Sequence, residues 1–312
     1  MPAPLTLMTV HARPDDEAIG TGGVLARYAD EGIGTVLVTC TGGEVGEIGD
    51  PTRATPENLA DVRERELRAA CAILGVRHLE LLGYRDSGML GTPDNEHPDA
   101  FGRAYLDVAA GRLVALIRRY RPQVLVNYDD TGFYGHPDHV NANRITVRAF
   151  ARTGDPGGYP EHGLAPWQPS KLYYTAVPRS QMAEFGRRLA KHRIRPPLHA
   201  DAPEPSGAND SEARGDAAQA VSDMPAPEGA PPIGTPDELV TTYVDVSRWV
   251  ERKRRALWAH ATQMGPETFF ARMPPTLFDE LFGTELFQLV ESRVTATSPE
   301  DDLFAGLRGG AR

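Results

Sequence analysis

Four short apolar runs, each breaking off at a polar cluster, constrain this chain most: residues 5–10 (LTLMTV), 35–39 (TVLVT), 123–128 (QVLVNY) and 171–177 (KLYYTAV). Runs this short and this continuously apolar suit strands covered on both faces. Helical patterns lie between them, over 17–31, 58–74, 106–120 and 139–152. In the second, Leu59, Val62, Ala70, Ile73 and Leu74 fall near one face, and Arg63, Glu64 and Arg65 fall off it. Strand alternating with helix predicts an α/β fold. The expected form is a Rossmann-like, mostly parallel sheet flanked by helices, with right-handed crossovers.

The 312 residues suffice for one sizeable α/β domain with an appendage. Residues 1–195 are expected to form the core. From 196 to 237 the chain is rich in Pro, Ala, Gly, Ser, Asp and Glu. Little apolar surface is available there to offset the entropy of ordering, so a solvated linker or long loop is expected. Structure should resume with a strand over 238–244, a helix over 246–262 and a last strand over 284–291 (TELFQLVE). Residues 238–312 thus form a C-terminal α/β appendage packing on the core, with a frayed tail after 295.

Lys plus Arg total 33 and Asp plus Glu 43, a net charge of -10. That balance argues against nucleic acid and against an anionic membrane surface as partners, and for a small, neutral, hydroxyl-rich molecule. The two cysteines, Cys40 and Cys71, lie in apolar surroundings without a CxxC neighbour, so neither a disulfide scaffold nor a cysteine-based zinc knuckle is expected. No run of 18 apolar residues occurs, and the first strand begins where a leader would stand. A cytoplasmic location is the expectation.

The chemistry-bearing residues cluster where two of the runs end. The first cluster is His11-Ala-Arg13-Pro14-Asp15-Asp16-Glu17, between a buried strand and a helix. In open α/β sheets, ligands gather at the carboxyl ends of strands. The adjacent carboxylates admit two readings: Asp15 or Asp16 caps the helix, with Glu17 favouring its positive end, or one holds a metal while its neighbour acts as a base. Gly20, Gly22 and Gly23 suggest a phosphate cradle, but Leu25 stands where the dinucleotide fingerprint needs its third glycine. The second cluster is Tyr134-Gly-His136-Pro137-Asp138-His139. Two histidines three residues apart with an aspartate between them suit a metal site, since neutral imidazole is a common zinc ligand.

As a set, Arg13-Pro14-Asp15-Asp16-Glu17 and His136-Pro137-Asp138-His139 resemble the paired motifs of the PIG-L (LmbE-like) deacetylases. The segments from Thr39 to Glu47 and from Tyr84 to Met89 further resemble the mycothiol-pathway branch, closest to its N-acetylglucosaminyl-inositol deacetylase. The resemblance implies hydrolysis of an N-acetyl group from an amino-sugar conjugate. It implies one zinc or ferrous ion per subunit, held by Asp16, His139 and a histidine of the first motif. Asp15 would serve as base, His136 and Tyr134 as oxyanion stabilisers, and Asp138 as the group orienting His136. Arg63 and Asp86 match family positions that contact sugar or inositol hydroxyls. From spacing alone, Arg85 and Asp86 equally suit a surface ion pair.

The motif's histidine is Arg13 in this chain. A guanidinium stays protonated and has no lone pair to give. At ~5 Å and an effective dielectric of ~20, its repulsion with a dication is about 7 kcal/mol before relaxation. One base separates a His codon from an Arg codon, so Arg13 suits a variant of an active enzyme. His11, ~6.5 Å back on the same strand face, is a possible substitute given a backbone shift. The third alternative is a metal-poor, sugar-binding relic. Within the hydrolase class, another N-acetylglucosamine conjugate, of bacillithiol or chitooligosaccharide type, is the rival substrate. His260, Thr262 and Gln263, at the end of the last expected helix, suit helix-end packing better than a pocket rim.

Overall fold

The computed structural model describes residues 4–192, 194, 233–266 and 268–308. The apolar runs become β1 (Thr6–His11), β2 (Gly34–Thr41), β4 (Val124–Asn127) and β5 (Lys171–Ala176), with β3 (His78–Tyr84) between β2 and β4 in the chain. The last two strands are β6 (Thr242–Asp245) and β7 (Thr284–Ser292). Among the described residues these seven form one sheet in the order β3-β2-β1-β4-β5-β7-β6. β3 through β5 are mutually parallel. β7 runs antiparallel to β5, and β6 antiparallel to β7. The sheet is therefore mostly parallel and mixed at one edge, as the alternation of strand and helix predicts. The strands beyond residue 238 extend this same sheet along β5.

Helices cover both faces. Residues alternate across β1, so Leu7 enters one apolar layer with Val24, Leu25, Tyr28 and Phe287. Met8 and Val10 enter the other with Leu113, Ile117 and Ile145. The single helix expected over 17–31 is two, α1 (Asp16–Gly20) and α2 (Gly22–Asp30), broken at Thr21, whose hydroxyl bonds back to the Glu17 carbonyl. α3 (Leu59–Leu74), α4 (Leu106–Tyr120) and α6 (Pro137–Arg152) match their sequence patterns, and the one-turn α5 (Gly132–Gly135) precedes α6. α7 (Arg179–Lys191), α9 (Phe269–Arg272) and α10 (Pro275–Phe282) were not anticipated from pattern. The expected helix over 246–262 is shorter, α8 (Val250–Ala259). The composition-based linker lies outside the described residues up to 232.

The fold overturns the expectation for the chain's end and agrees with the argument against a phosphate cradle. The tail does not fray after 295: Leu303 and Phe304 are fully buried, with Phe304 edge-on to Tyr28 at 5.1 Å. Buried Glu300 anchors it, accepting from Lys171 Nζ at 2.6 Å inside the sheet. The glycines after α1 build no open phosphate cradle. The amino end of α2 does attract an anion, as exposed helix N–H groups do, but the anion is the chain's own. Gly23 N and Val24 N donate to the Glu285 carboxylate at 2.7 and 2.8 Å, and Lys253 neutralises it at 2.7 Å. Gly23 is required for close approach, since a Cβ there would lie 2.5 Å from Val246.

Candidate active site

The sheet order turns at β1: β2 and β3 lie to one side, β4 and β5 to the other. Such a switch point opens a crevice beyond the strands' carboxyl ends. The two polar clusters leave the sheet from β1 and β4, neighbours there, so they face each other across it. Asp16 Oδ2 lies 3.5 Å from His139 Nε2. The same oxygen accepts from the Arg13 backbone N at 3.0 Å and from the Tyr128 hydroxyl at 2.8 Å. Tyr128 also stacks on the His139 ring at 4.2 Å. It ends the third run and sequence reasoning missed it; the signal was a polar aromatic at a strand's carboxyl end. Both ring nitrogens of His139 are buried with no hydrogen-bond partner among the described residues. Burial works against Asp16's charge, but His139, Arg13, His11 and the Tyr128 hydrogen bond outweigh it and hold the carboxylate at about 2. Burial, against Asp16, holds His139 neutral, near 4.

Asp15 takes the turn between β1 and α1 at φ 94°, a left-handed conformation that costs a non-glycine residue energy. Asp15 stands at the N-cap of α1, but its side chain makes no capping hydrogen bond. The turn is held from three directions. The Asp15 N–H donates to Glu17 Oε2 at 3.0 Å. His260 meets the other Glu17 oxygen at 2.7 Å, and neither side chain has any exposure. Arg63, 1% exposed, donates to the Pro14 carbonyl and to Asp15 Oδ2, and to the Gly43 carbonyl at 2.8 Å. Gly43 sits at φ 67°, and a Cβ there would lie 2.3 Å from the Arg63 guanidinium. The expectation that Arg63 contacts sugar hydroxyls is therefore revised: its terminal nitrogens hold Asp15's turn. Burial raises Asp15, against Arg63 and with the help of Asp16's charge, to about 6.

His260 packs at the end of α8, as expected, but its partner is Glu17 rather than solvent. Thr262 bonds Glu66 through N and Oγ1, and Gln263 the Glu47 carbonyl. Burial lowers His260, but Glu17 and Asp15 outweigh it and opposing Arg63, so its pKa is raised above the usual histidine value of ~6.5. The stability this pair supplies is complete below pH ~6.5 and is lost as pH rises through the raised folded value. Denaturant unfolding from pH 6 to 9 should therefore show wild type and His260→Gln converging as pH increases. A constant gap would remove the ion-pair account.

On the opposite wall, His136 caps α6, its Nδ1 accepting from Asp138 N at 3.1 Å. The Asp138 carboxylate accepts from Ser87 N at 3.0 Å and from Ser87 Oγ. Burial and neighbouring Asp86 push Asp138 up to about 7. The ion pair considered for Arg85 and Asp86 does not form: Arg85 pairs with Asp94 at 2.6 Å, while Asp86 is buried with Oδ2 unpartnered. Asp86, His136 and Asp138 each offer a ligand atom within 4.8 Å of the others, a group able to hold a cation.

Arg13 is half-buried between the walls. Its Nη1 lies 2.7 Å from His136 Nε2, and its Nη2 donates to the Tyr134 hydroxyl at 2.5 Å. Tyr134 and the carboxylates Asp16, Asp15 and Asp86 outweigh burial and raise its pKa further, so it is a fixed positive charge. His11 does not replace it as a ligand. Its Nε2 is bonded to Thr21 Oγ1 at 2.8 Å and its Nδ1 faces the Tyr128 hydroxyl at 3.3 Å, beneath the site. The structure thus brings together Arg13, Asp15, Asp16, Tyr134, His136 and His139, sets Asp86 and Asp138 on one flank and Arg63 beneath, and leaves His11 behind.

A Rossmann-like sheet with carboxylates and imidazoles at its switch point defines the class, a carboxylate–histidine site of the kind that serves amide hydrolysis. The sequence profile of the GlcNAc-PI de-N-acetylase (PIG-L) family matches residues 8–150. A Thermobifida fusca protein described as a 1D-myo-inositol 2-acetamido-2-deoxy-alpha-D-glucopyranoside deacetylase is 44% identical over 311 residues, covering 96% of this chain and 98% of its own. A Catenulispora acidiphila relative of the same description is 42% identical, covering 96% of this chain and 89% of its own. The N,N'-diacetylchitobiose deacetylase of Pyrococcus horikoshii shares the fold, with a TM-score of 0.56 at 16% identity, over 92% of this chain and 84% of that one. The chain belongs to the PIG-L GlcNAc-PI de-N-acetylase family. No helix among its described residues is long and apolar enough to cross a membrane.

Proposed function

We propose that this chain removes the N-acetyl group from 1D-myo-inositol 2-acetamido-2-deoxy-alpha-D-glucopyranoside by hydrolysis, as a cytoplasmic enzyme. The observation that carries this reading is the convergence of Asp16 and His139, 3.5 Å apart, with Asp15 beside them on a strained turn. The descriptions of full-length relatives at 42% and 44% identity supply the substrate.

A zinc or ferrous ion fits two of the three expected positions. The Asp16–His139 spacing and the unpartnered nitrogens of His139 suit a shared cation. Arg13 does not fit, because it offers no lone pair. Asp16, His139 and Arg13 do not make a three-ligand centre, so the side chains themselves carry the chemistry. Asp15, mostly charged at pH 7, takes a proton from water and returns it to the departing amine. Tyr134 donates to the developing oxyanion, and so does Arg13, which reaches the same space; one such donor is worth ~3–4 kcal/mol. Asp86, with a free carboxylate oxygen, accepts from a sugar hydroxyl.

The test is incubation with the glucosamine–inositol conjugate, chitooligosaccharides and acetylglucosaminyl-malate, detecting freed amine and acetate. Amine from the inositol conjugate above the others is expected, and none from any of them would sink the reading. Arg13's contact with Tyr134 and His136 favours a second reading, sugar binding without turnover. Calorimetric binding without amine release would select it.

A further inference from the structure

The geometry points to Arg13 as a tethered internal cation: its guanidinium fills the electrophilic side of the site and keeps a divalent ion off the Asp16–His139 pair. The inference rests on the site assignment proposed above and extends it to a property particular to this chain.

Three observations carry it. First, Arg13 cannot swing clear without loss. Its backbone N–H is bonded to Asp16 Oδ2 at 3.0 Å, while its guanidinium is gripped at both ends by His136 and Tyr134. Those two rings flank His139, with centroids 5.2 and 5.1 Å away. The guanidinium therefore lies among the groups that surround the pair. Second, fixed positive charge already stands beside the carboxylates. Arg63 pairs with Asp15 at 3.2 Å, and Arg13 holds its guanidinium against His136 and Tyr134, so an incoming dication would meet two permanent cations.

Third, both nitrogens of His136 face donors. Nδ1 lies 3.1 Å from the Asp138 N–H, and Nε2 lies 2.7 Å from Arg13 Nη1, which can only donate. A neutral imidazole has one lone pair, so the two compete for it. Arg13 takes Nε2 only if the proton sits on Nδ1, which gives up the contact with the Asp138 N–H; Asp86 and Asp138 each hold a carboxylate oxygen within 4.8 Å of a His136 ring nitrogen. In that tautomer His136 has no proton on the cleft side. The donor role passes from the imidazole to the guanidinium.

The experiment measures zinc binding by calorimetry and elemental analysis in wild type, Arg13→His and Arg13→Ala, each checked for an intact fold by circular dichroism. Arg13→His should hold one zinc ion at least ~100-fold more tightly than wild type. Arg13→Ala adds no ligand, so any tightening there, expected at about tenfold, reports removal of the charge. Wild type matching Arg13→His, or Arg13→Ala matching wild type, would overturn the inference. Adding His139→Ala to the Arg13→His protein should abolish tight binding; zinc retained there would place the ion elsewhere and also overturn it. On wild type alone, ring 15N shifts should show His136 protonated at Nδ1, and an Nε2–H signal would contradict the proposal. Arg13→His that takes up zinc yet leaves the acetamide intact would sink the deacetylase reading and leave this one standing.

Discussion

Asp15→Asn is expected to lower deacetylation of the glucosamine–inositol conjugate by about 10²–10⁴-fold, with KM little changed. The asparagine keeps the size of the side chain and cannot take a proton. In wild type, burial raises Asp15 to about 6, so turnover should climb through that pH as the base loses its proton, and this limb should vanish in the variant. Stability moves the other way. A carboxyl whose folded pKa lies above its unfolded value costs stability once pH passes the unfolded value, and the full cost is present above the folded one. At pH 7 the variant should melt no lower than wild type, which separates lost chemistry from lost fold. Turnover within a few-fold of wild type would remove Asp15 from the reaction.

The largest loss of stability is expected from Glu285→Ala. That substitution strips buried Lys253 of its counterion and leaves the Gly23 and Val24 N–H groups at the amino end of α2 without an acceptor. Breaking a buried pair from one side costs about 3–5 kcal/mol, and an orphaned buried donor about 1–3 more. For a domain of this size the melting temperature should fall by ~10 °C or more. Lys253→Met combined with Glu285→Ala removes the stranded charge and should recover much of the loss. A single variant that melts like wild type would show that the pair contributes nothing.

The residues behind these two effects differ in how visible they are in the sequence. The clusters holding Asp15, Asp16, His136 and His139 were legible because each comes after a short, continuously apolar run that suits a buried strand, and ligands gather at the carboxyl ends of such strands. The glycines near α1 raised a phosphate-cradle reading that Leu25 argued against, and nothing local showed that Glu285, some 261 residues on, supplies the anion there. Glu17 looked like an ordinary first-turn acid. Its partner His260 lies 243 residues away, and no local period connects them. The burial of Leu303 and Phe304 was hidden for the same reason, since a polar tail becomes ordered only once Glu300 finds Lys171 inside the sheet.

Sequence alone determined the alternation of strand and helix, the two clusters, and the absence of a lone pair at position 13. Periodicity and functional-group chemistry are properties of neighbouring residues, and they survive without coordinates. Tertiary structure decided that β1 lies beside β4, that Arg63 serves Asp15's turn, that His11 is committed to Thr21 and Tyr128, and that Arg13 points at His136 and Tyr134. These depend on which distant surfaces meet, and that is settled by burying the two apolar layers of the sheet together, a global minimisation to which each residue contributes only a small part.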